Sequence, residues 1–385
     1  MSLRAKINHS LSRLEKTYDT YNEITLSKSA LLNNFDIFKT LSPGSNVIPV
    51  LKSNAYGHGI QQIATILKNR KIPYVAVDGY FECLEIHQFS KQPVLVMGAI
   101  PPQNFAHMNF ERTSFVVQDL TAIKSLGATK RSVKIHLEID TGMSRHGIDP
   151  SELGTILREI KKYDNIEFDG VMSHLADADN PHDEYTAKQV GTFDNCIEKI
   201  YKAGLTPKYI HIAQSAGSTK VQSRYANTLR IGFSLYGLNP LQPSDKSIRK
   251  LSQLQPVLEF TSTIEKVRTL QPGTTVSYNR LYSTKHSMNI GVLPAGYYEG
   301  IPRIFTNAGL VQLGSDYLPV VGRVCMNHTM VALAKASSKS GEKVTIISRN
   351  PKSKVSVANI CKRHDLFDYE LVTRLAPTIR RTIVE

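Results

Sequence analysis

Eight short, mostly apolar runs alternate with helical patterns between residues 45 and 240, and no other feature of this chain limits its fold so tightly. The runs are "VIPVL", "YVAVD", "PVLVMG", "SFVVQ", "VKIHLEID", "FDGVMSH", "YIHIA" and "LRIGFSLYG". Between them the apolar period is helical. In "IQQIATILKNR", residues Ile60, Ile63, Ala64 and Leu67 fall on one face, and in "SELGTILREIKKY" so do Leu153, Ile156, Leu157 and Ile160. Pro150 and Ser151 are N-terminal signals for the second of these helices. A further helix, "KSALLNNFDIFKTL", precedes the first run. Strand and helix alternating eight times predict a parallel (β/α)8 barrel, with a doubly wound open sheet as the rival.

After about residue 254 the texture changes. "LEFTSTIEKV", "NIGVLPAGY", "LVQLGSDYLPVVGRV" and "EKVTIIS" read as strands joined by Pro-Gly and Gly-Ser-Asp turns, and "KASSKSGEK" as an exposed loop. The expected division is a barrel over 1–253 and a mainly β domain over 254–385, which 385 residues with 41% apolar side chains can supply with cores. No apolar run approaches the ~20 residues of a membrane span. The basic start, "MSLRAKINHSLSRLEK", lacks the apolar centre of a signal peptide, and its Met-Ser-Leu is open to reading as a cloning remnant. Four cysteines, at 83, 196, 325 and 361, are too dispersed for a zinc knuckle and too few for a disulfide scaffold, which points to a reducing cytoplasm. The net charge of +14 is scattered in pairs such as Lys161-Lys162 and Arg380-Arg381. A nucleic-acid arm would concentrate it, so a surface that draws small anions is the better reading.

Lys52 ends the first apolar run, in "VIPVLKSNAYGHG". In a parallel barrel the C-terminal strand ends face the active site, so its amine belongs at the mouth. There a lysine partly withdrawn from water becomes a nucleophile toward carbonyls, although many lysines merely run an apolar stem past their neighbours. The company of Lys52 decides between these. "LKSNAYGHG" closely resembles the cofactor-lysine motif of the alanine racemases. Eight further segments resemble that family in order: "HLEIDTGMSRHGI", "GVMSHLADAD", "HIAQSAGS", "LRIGFSLYGLNP", "TVSYNRLYST", "LPAGYYEGIPR", "VVGRVCMNHTM" and "DYELVTRL".

The resemblance implies a pyridoxal 5'-phosphate enzyme, a barrel followed by a β domain, that interconverts L- and D-alanine and supplies D-alanine for peptidoglycan. It implies two bases on opposite faces of a planar intermediate: Lys52, which also holds the cofactor and serves the D-antipode, and Tyr278 of "VSYN", which serves the L-antipode from the other subunit of a homodimer. Arg230 of "LRIG" matches the residue facing the pyridine nitrogen, and His211 the histidine that buttresses it. An arginine there donates without surrendering its proton, which leaves the ring nitrogen unprotonated and disfavours transamination. Tyr56, Ser215, Gly232, Phe233 and Tyr369 match phosphate contacts, and His174 the imidazole packed against the cofactor ring. Arg145 and Met326 match substrate-carboxylate positions, and Tyr297, Arg303 and Arg323 the corridor leading to them. "HLADADNPH" also admits a metal reading through His174, Asp177, Asp179 and His182, with nothing in the sequence to fix their geometry.

Four positions depart from the family pattern. Glu138 stands where many relatives carry a carbamylated lysine, Asn327 where an aspartate is common, Gln214 where an asparagine precedes the phosphate serine, and Thr378 where an arginine is usual. None removes a catalytic group, and together they bear on substrate range, which leaves a broader-specificity serine or lysine racemase as the alternative. A decarboxylase of the same fold would place a carboxylate at the pyridine nitrogen. Barrel-only cofactor carriers lack the domain that holds Tyr278. Cys325 is either a reactive thiol or, more commonly for a strand cysteine, a packed one.

Overall fold

The structure, a computed structural model, describes residues 19–182, 184–334 and 338–385. The opening Met-Ser-Leu and residues 335–337 of the "KASSKSGEK" loop lie outside them. Two compact units form: residues 28–256, and residues 257–385 together with residues 19–27.

The segment before residue 28 contributes strand β1 (Glu23–Ser27), and this strand pairs in the second unit, where the sequence placed residues 1–253 in the barrel. The first unit then begins with helix α1 (Lys28–Leu41). Eight strands follow: β2 (Asn46–Pro49), β3 (Val75–Val77), β4 (Val94–Val96), β5 (Thr113–Val117), β6 (Val133–Glu138), β7 (Ile166–Met172), β8 (Tyr209–His211) and β9 (Thr228–Ile231). Each expected run supplies one of them. Strands β3 to β8 form one parallel sheet in chain order, and β2 pairs in parallel with β9. A bridge from Val50 to Ala76 links β2 to β3. Between β8 and β9, the Asn227 and Arg230 N–H groups donate to the Ile210 and Ala213 carbonyls at 3.0 and 3.1 Å. The ring is therefore closed, and the open-sheet rival is excluded.

Helices α2 (Ile60–Leu67), α3 (Tyr80–Phe89), α4 (Leu120–Ala128), α5 (Leu153–Ile160) and α6 (Tyr185–Lys202) cover it. The expected apolar faces of α2 and α5 are buried. Asp119 caps α4 by accepting from the Ala122 N–H at 2.7 Å. The N-cap of α5 is Glu152 rather than Ser151, whose N–H goes instead to Asp149. The barrel core includes a cluster of Ile48, Val50, Tyr74, Leu95, Met172 and Tyr209, contributed by β2, β3, β4, β7 and β8 or the residues that flank them.

The second unit is mainly β. Its six-stranded sheet joins β1 to β10 (Leu258–Thr263) antiparallel and to the last strand, Arg380–Val384, in parallel. "LVQLGSDYLP" forms the expected hairpin, Leu310–Leu313 with Asp316–Pro319. No helix among the described residues is long and apolar enough to cross a membrane.

Candidate active site

Strand β2 delivers Lys52 to the end of the barrel. The Val50 and Leu51 N–H groups are held by Ile231 and Ala76 carbonyls at 2.8 and 2.7 Å, and the side chain of Lys52 is half-buried. The chain then enters a left-handed turn. Ser53, Asn54, Ala55 and Tyr56 all have φ between 52° and 56°. Each non-glycine residue there costs about 1 kcal/mol, so the surroundings must hold the turn in place. Glu82 does so by accepting from the N–H groups of Ser53, Asp78 and Gly79 at 2.5, 3.0 and 3.3 Å. Asn54 accepts from the Ile60 N–H at 2.9 Å, and Tyr236 donates to the Val50 carbonyl at 2.8 Å. His58, buried against the Tyr236 ring at 4.4 Å, explains the histidine of "YGHG" as a packing group.

Arg230 lies on β9, in register with Ile48 of β2, and is 2% exposed. Its Nη1 donates to His211 Nδ1 at 2.7 Å and to the His211 carbonyl at 2.9 Å. Its Nη2 donates to the Ser173 carbonyl at 2.6 Å and faces His174 Nδ1 at 3.2 Å. Every polar partner is a neutral acceptor. Burial lowers the guanidinium pKa to about 10, with Arg145 lowering it further and Glu138 opposing, so the group remains charged. The His174 imidazole is pushed down to about 3 by burial and by the charges of Arg230, Arg145 and Lys52. It is neutral at working pH, and those charges gather Lys52, Arg145, His174 and Arg230 around one field.

Glu138 closes β6, is 5% exposed, and accepts from Gln118 Nε2 at 2.9 Å. Burial raises its pKa, while Arg230, Gln118, His146 and Arg145 pull it down. It makes no ion pair with Arg145, which is exposed on the loop that follows. Asp140 shapes that loop by accepting from the N–H groups of Gly142, Met143 and Ser144 at 2.8, 2.9 and 3.1 Å.

Polar side chains gather beside this cluster, around Gly232. A Cβ added at Gly232 would collide with the Tyr56 hydroxyl, so only glycine lets that phenol reach the β9 backbone. Burial first, then the charge of Asp78, pushes the Tyr56 phenol up to about 12, which keeps its proton in place. Ser215, buried, faces the Ser234 N–H at 3.4 Å. The hydroxyl of Ser234 is fully buried and, among the described residues, has no partner. Phe233 follows Gly232 at the start of the turn Phe233–Tyr236. Gln214 turns its side-chain oxygen to the Gly217 N–H at 3.1 Å.

The remaining candidates lie in the second unit. Tyr278 is 67% exposed, held out by left-handed residues on both sides, Ser277 at φ 67° and Asn279 at φ 60°. The Ser277 hydroxyl donates to the Arg323 carbonyl at 2.7 Å. The Cys325 and Met326 carbonyls receive the Tyr297 and Tyr298 N–H groups at 3.0 and 2.9 Å, so Met326 and Tyr297 flank one another. Asn327 donates to Glu299 at 2.9 Å. Tyr369, half-buried, stacks on Phe367 with ring centroids 4.8 Å apart. Arg303 and Thr378 are exposed, and Cys325 is only partly buried. His174, Asp177, Asp179 and His182 do not converge: among the described residues no three His, Cys, Asp or Glu side chains gather as metal ligands would. Glu82, Asp140, Gln118 and His58 carry structural weight that their isolated positions in the sequence did not reveal.

Residues 26–240 match the family description "Alanine racemase, N-terminal domain", and residues 257–383 match "Alanine racemase, C-terminal domain". The chain is 31% identical to the alanine racemase of Halothermothrix orenii over 95% of its own length and 97% of the relative's. It is 30% identical to that of Staphylococcus carnosus, over 94% of each. Among solved structures, the alanine racemase of Clostridium difficile 630 superposes with a TM-score of 0.88 at 26% identity, covering 96% of this chain and 97% of that one. The alanine racemase of Bacillus anthracis with bound L-Ala-P gives 0.86 at 27% identity, covering 96% of each. With both halves matched in order and the barrel, the lysine strand and the buried arginine in place, this chain belongs to the alanine racemase family.

Proposed function

We propose that this chain is an alanine racemase that uses pyridoxal 5'-phosphate, with Lys52 and the Tyr278 of a partner subunit as its two bases. The observation that carries the reading is Arg230: a buried guanidinium whose partners are imidazoles and carbonyls, on the strand paired with the one that ends in Lys52. The residues around Gly232 fit the cofactor. Their hydroxyls, their backbone amides and the glycine that leaves no room for a Cβ beside Tyr56 suit a phosphate, and Ser234 has unused capacity there.

Lys52 would tether the cofactor, Tyr56, Ser215, Gly232, Phe233 and Tyr369 would hold its phosphate, and His174 would pack against its ring. Pyridoxal phosphate, when bound, supplies the electron sink that stabilises negative charge at the α-carbon. Arg230 donates toward the ring nitrogen and keeps its own proton, and His211 keeps Arg230 in place. Arg145 and Met326 hold the substrate carboxylate. Lys52 Nζ exchanges the α-proton on one face and Tyr278 Oη on the other, so a proton removed from L-alanine by Tyr278 as its phenolate, which becomes the phenol, is replaced by one from the Lys52 ammonium, which becomes the amine. Tyr278, Met326 and Tyr297 expose large apolar side chains, 67%, 55% and 43% accessible, which a partner subunit would cover, and this supports a homodimer. In the cell the enzyme supplies D-alanine for peptidoglycan from the cytoplasm.

Circular dichroism of L-alanine incubated with the purified protein tests this directly, with L-serine and L-lysine beside it. Alanine is expected to lose its signal fastest. Unchanged alanine, or faster lysine, would remove the assignment. The protein should also carry a near-ultraviolet to visible absorbance band that borohydride abolishes.

A further inference from the structure

A line of buried polar side chains runs from Arg230 away from Lys52 and into the floor of the barrel. His211 Nδ1 faces Arg230 Nη1 at 2.7 Å, and His211 Nε2 faces His136 Nδ1 at 2.8 Å. His136 Nε2 points at Asp169 Oδ2 at 3.4 Å, longer than an ordinary hydrogen bond, and has no other polar neighbour among the described residues. Tyr74 donates to the same carboxylate oxygen at 2.5 Å, and Ser114 donates to Tyr74 at 3.0 Å. His136 and His211 are fully buried, Asp169 and Tyr74 are 4% exposed and Ser114 is 1% exposed.

One donor-only group dictates every proton position along this line. A guanidinium cannot accept, so His211 Nδ1 must be bare. The proton of a neutral His211 then sits on Nε2 and is donated to His136 Nδ1, which must also be bare. The proton of His136 therefore sits on its own Nε2, directed at Asp169. Burial, the largest cause, lowers the pKa of both imidazoles; at His136 the neighbouring Asp169 opposes it, the Arg230 charge adds to it at both, and both stay neutral. Burial and Asp169 raise that of Tyr74, which stays a donor.

The backbone is arranged to make this line. Ile135 of β6 is in register with Phe168 of β7, but the next residue, His136, is in register with Gly170. Asp169 is thus the extra residue of a bulge, a device that re-aims a side chain. A Cβ at Gly170 would strike the His136 ring, so glycine makes the space the imidazole fills. The ring is held further by Tyr209, stacked at 6.0 Å, and by the edge of Tyr74 at 5.4 Å.

We propose that His136 and Asp169 are positioning residues that lock His211 in its Nε2-protonated tautomer, so that Arg230 is met by an acceptor and fixed as a donor toward the site. Without an acceptor at His136 Nδ1, His211 gains nothing from carrying its proton on Nε2. Only the contact with Arg230 then opposes the other tautomer, which turns an N–H against the guanidinium and gains population. The effect on rate rests on the reading of Arg230 given above, whereas the proton positions do not.

The test is nitrogen NMR of the full-length protein labelled with 15N in its histidine rings, as purified, at pH 7.5. His211 and His136 are both expected neutral with the proton on Nε2. A proton on His211 Nδ1, or a doubly protonated ring at either position, would overturn the proposal. A pair of variants adds a rate. His136→Gln keeps an acceptor for His211 and a donor for Asp169, whereas His136→Phe fills the space with neither. In His136→Phe, His211 should show both tautomers, and kcat for alanine should fall about tenfold, as for other supporting partners, with KM little changed. His136→Gln should restore most of both. Equal loss in the two variants with the His211 tautomer unchanged would reduce His136 to packing. If His136→Phe does not fold, the wild-type spectrum decides alone. The predicted tautomers in a protein that binds no cofactor would spare this lock and sink the cofactor reading.

Discussion

Lys52 is asked to hold the cofactor and to move a proton with the same amine, so Lys52→Ala should remove racemisation and shift the cofactor absorbance band together. An unchanged band would assign the tether to another lysine. Glu138 poses a subtler case. Standing where many relatives carry a carbamylated lysine, it is a buried carboxylate bonded to Gln118 that reaches Arg145 only through space. Its pKa is raised on folding by burial, so its protonated form favours the fold below the unfolded value. That contribution is lost as pH rises through the folded value. At pH 8 the charge therefore costs stability. Glu138→Gln should leave the melting temperature at pH 8 unchanged or higher, while activity falls about tenfold through loss of the charge that faces Arg230 and Arg145. Added bicarbonate should not affect the wild type. A variant with full activity would make Glu138 a structural residue only.

At the scale of elements, strands β6 and β8, on either side of β7, each bury an imidazole, His136 and His211, both held neutral. The sign of the pH effect follows. Above the ordinary histidine value of 6.5 neither state takes up a proton. Below it the unfolded chain binds protons that the folded chain refuses, so stability falls with pH. Between pH 7.5 and 5.5 the two rings should remove at most about 3 kcal/mol, and His136→Gln should lessen the loss seen in urea melts at those two pH values. An unaltered slope in the variant would mean that His136 titrates in the fold. The elements themselves were legible wherever a period was present. The eight runs became eight strands, and the stripes of α2 and α5 are buried. The bulge at Asp169 and the left-handed turn after Lys52 were not. Nothing in "FDGVM" says which residue is skipped in a ladder, and four non-glycine residues at positive φ contradict local preference until Glu82 and Asn54 hold them.

For the whole molecule the decisive prediction is complementation between chains. Lys52 lies in one unit and Tyr278 in the other, and the proposed site pairs a lysine with the partner subunit's tyrosine. Lys52→Ala and Tyr278→Phe chains, each nearly inactive alone, should recover roughly a quarter of wild-type activity when co-expressed, because half the dimers are mixed and each has one intact site. Mixed dimers, verified by tags, with no activity would place both bases in one chain. The sequence by itself determined the alternation that builds the barrel, the lysine at a strand end, and nine collinear segments that identified the family and its candidate residues. These are local or linear properties, readable from period and order. Only the tertiary structure decided that β1 leaves the barrel for the second unit, that Arg230 has neutral partners alone, and that His136, Asp169 and Tyr74 line up behind His211. Those facts depend on pairings between residues 19 to 238 positions apart, whose geometry is set by ring closure and bulges rather than by any residue's neighbours in the chain.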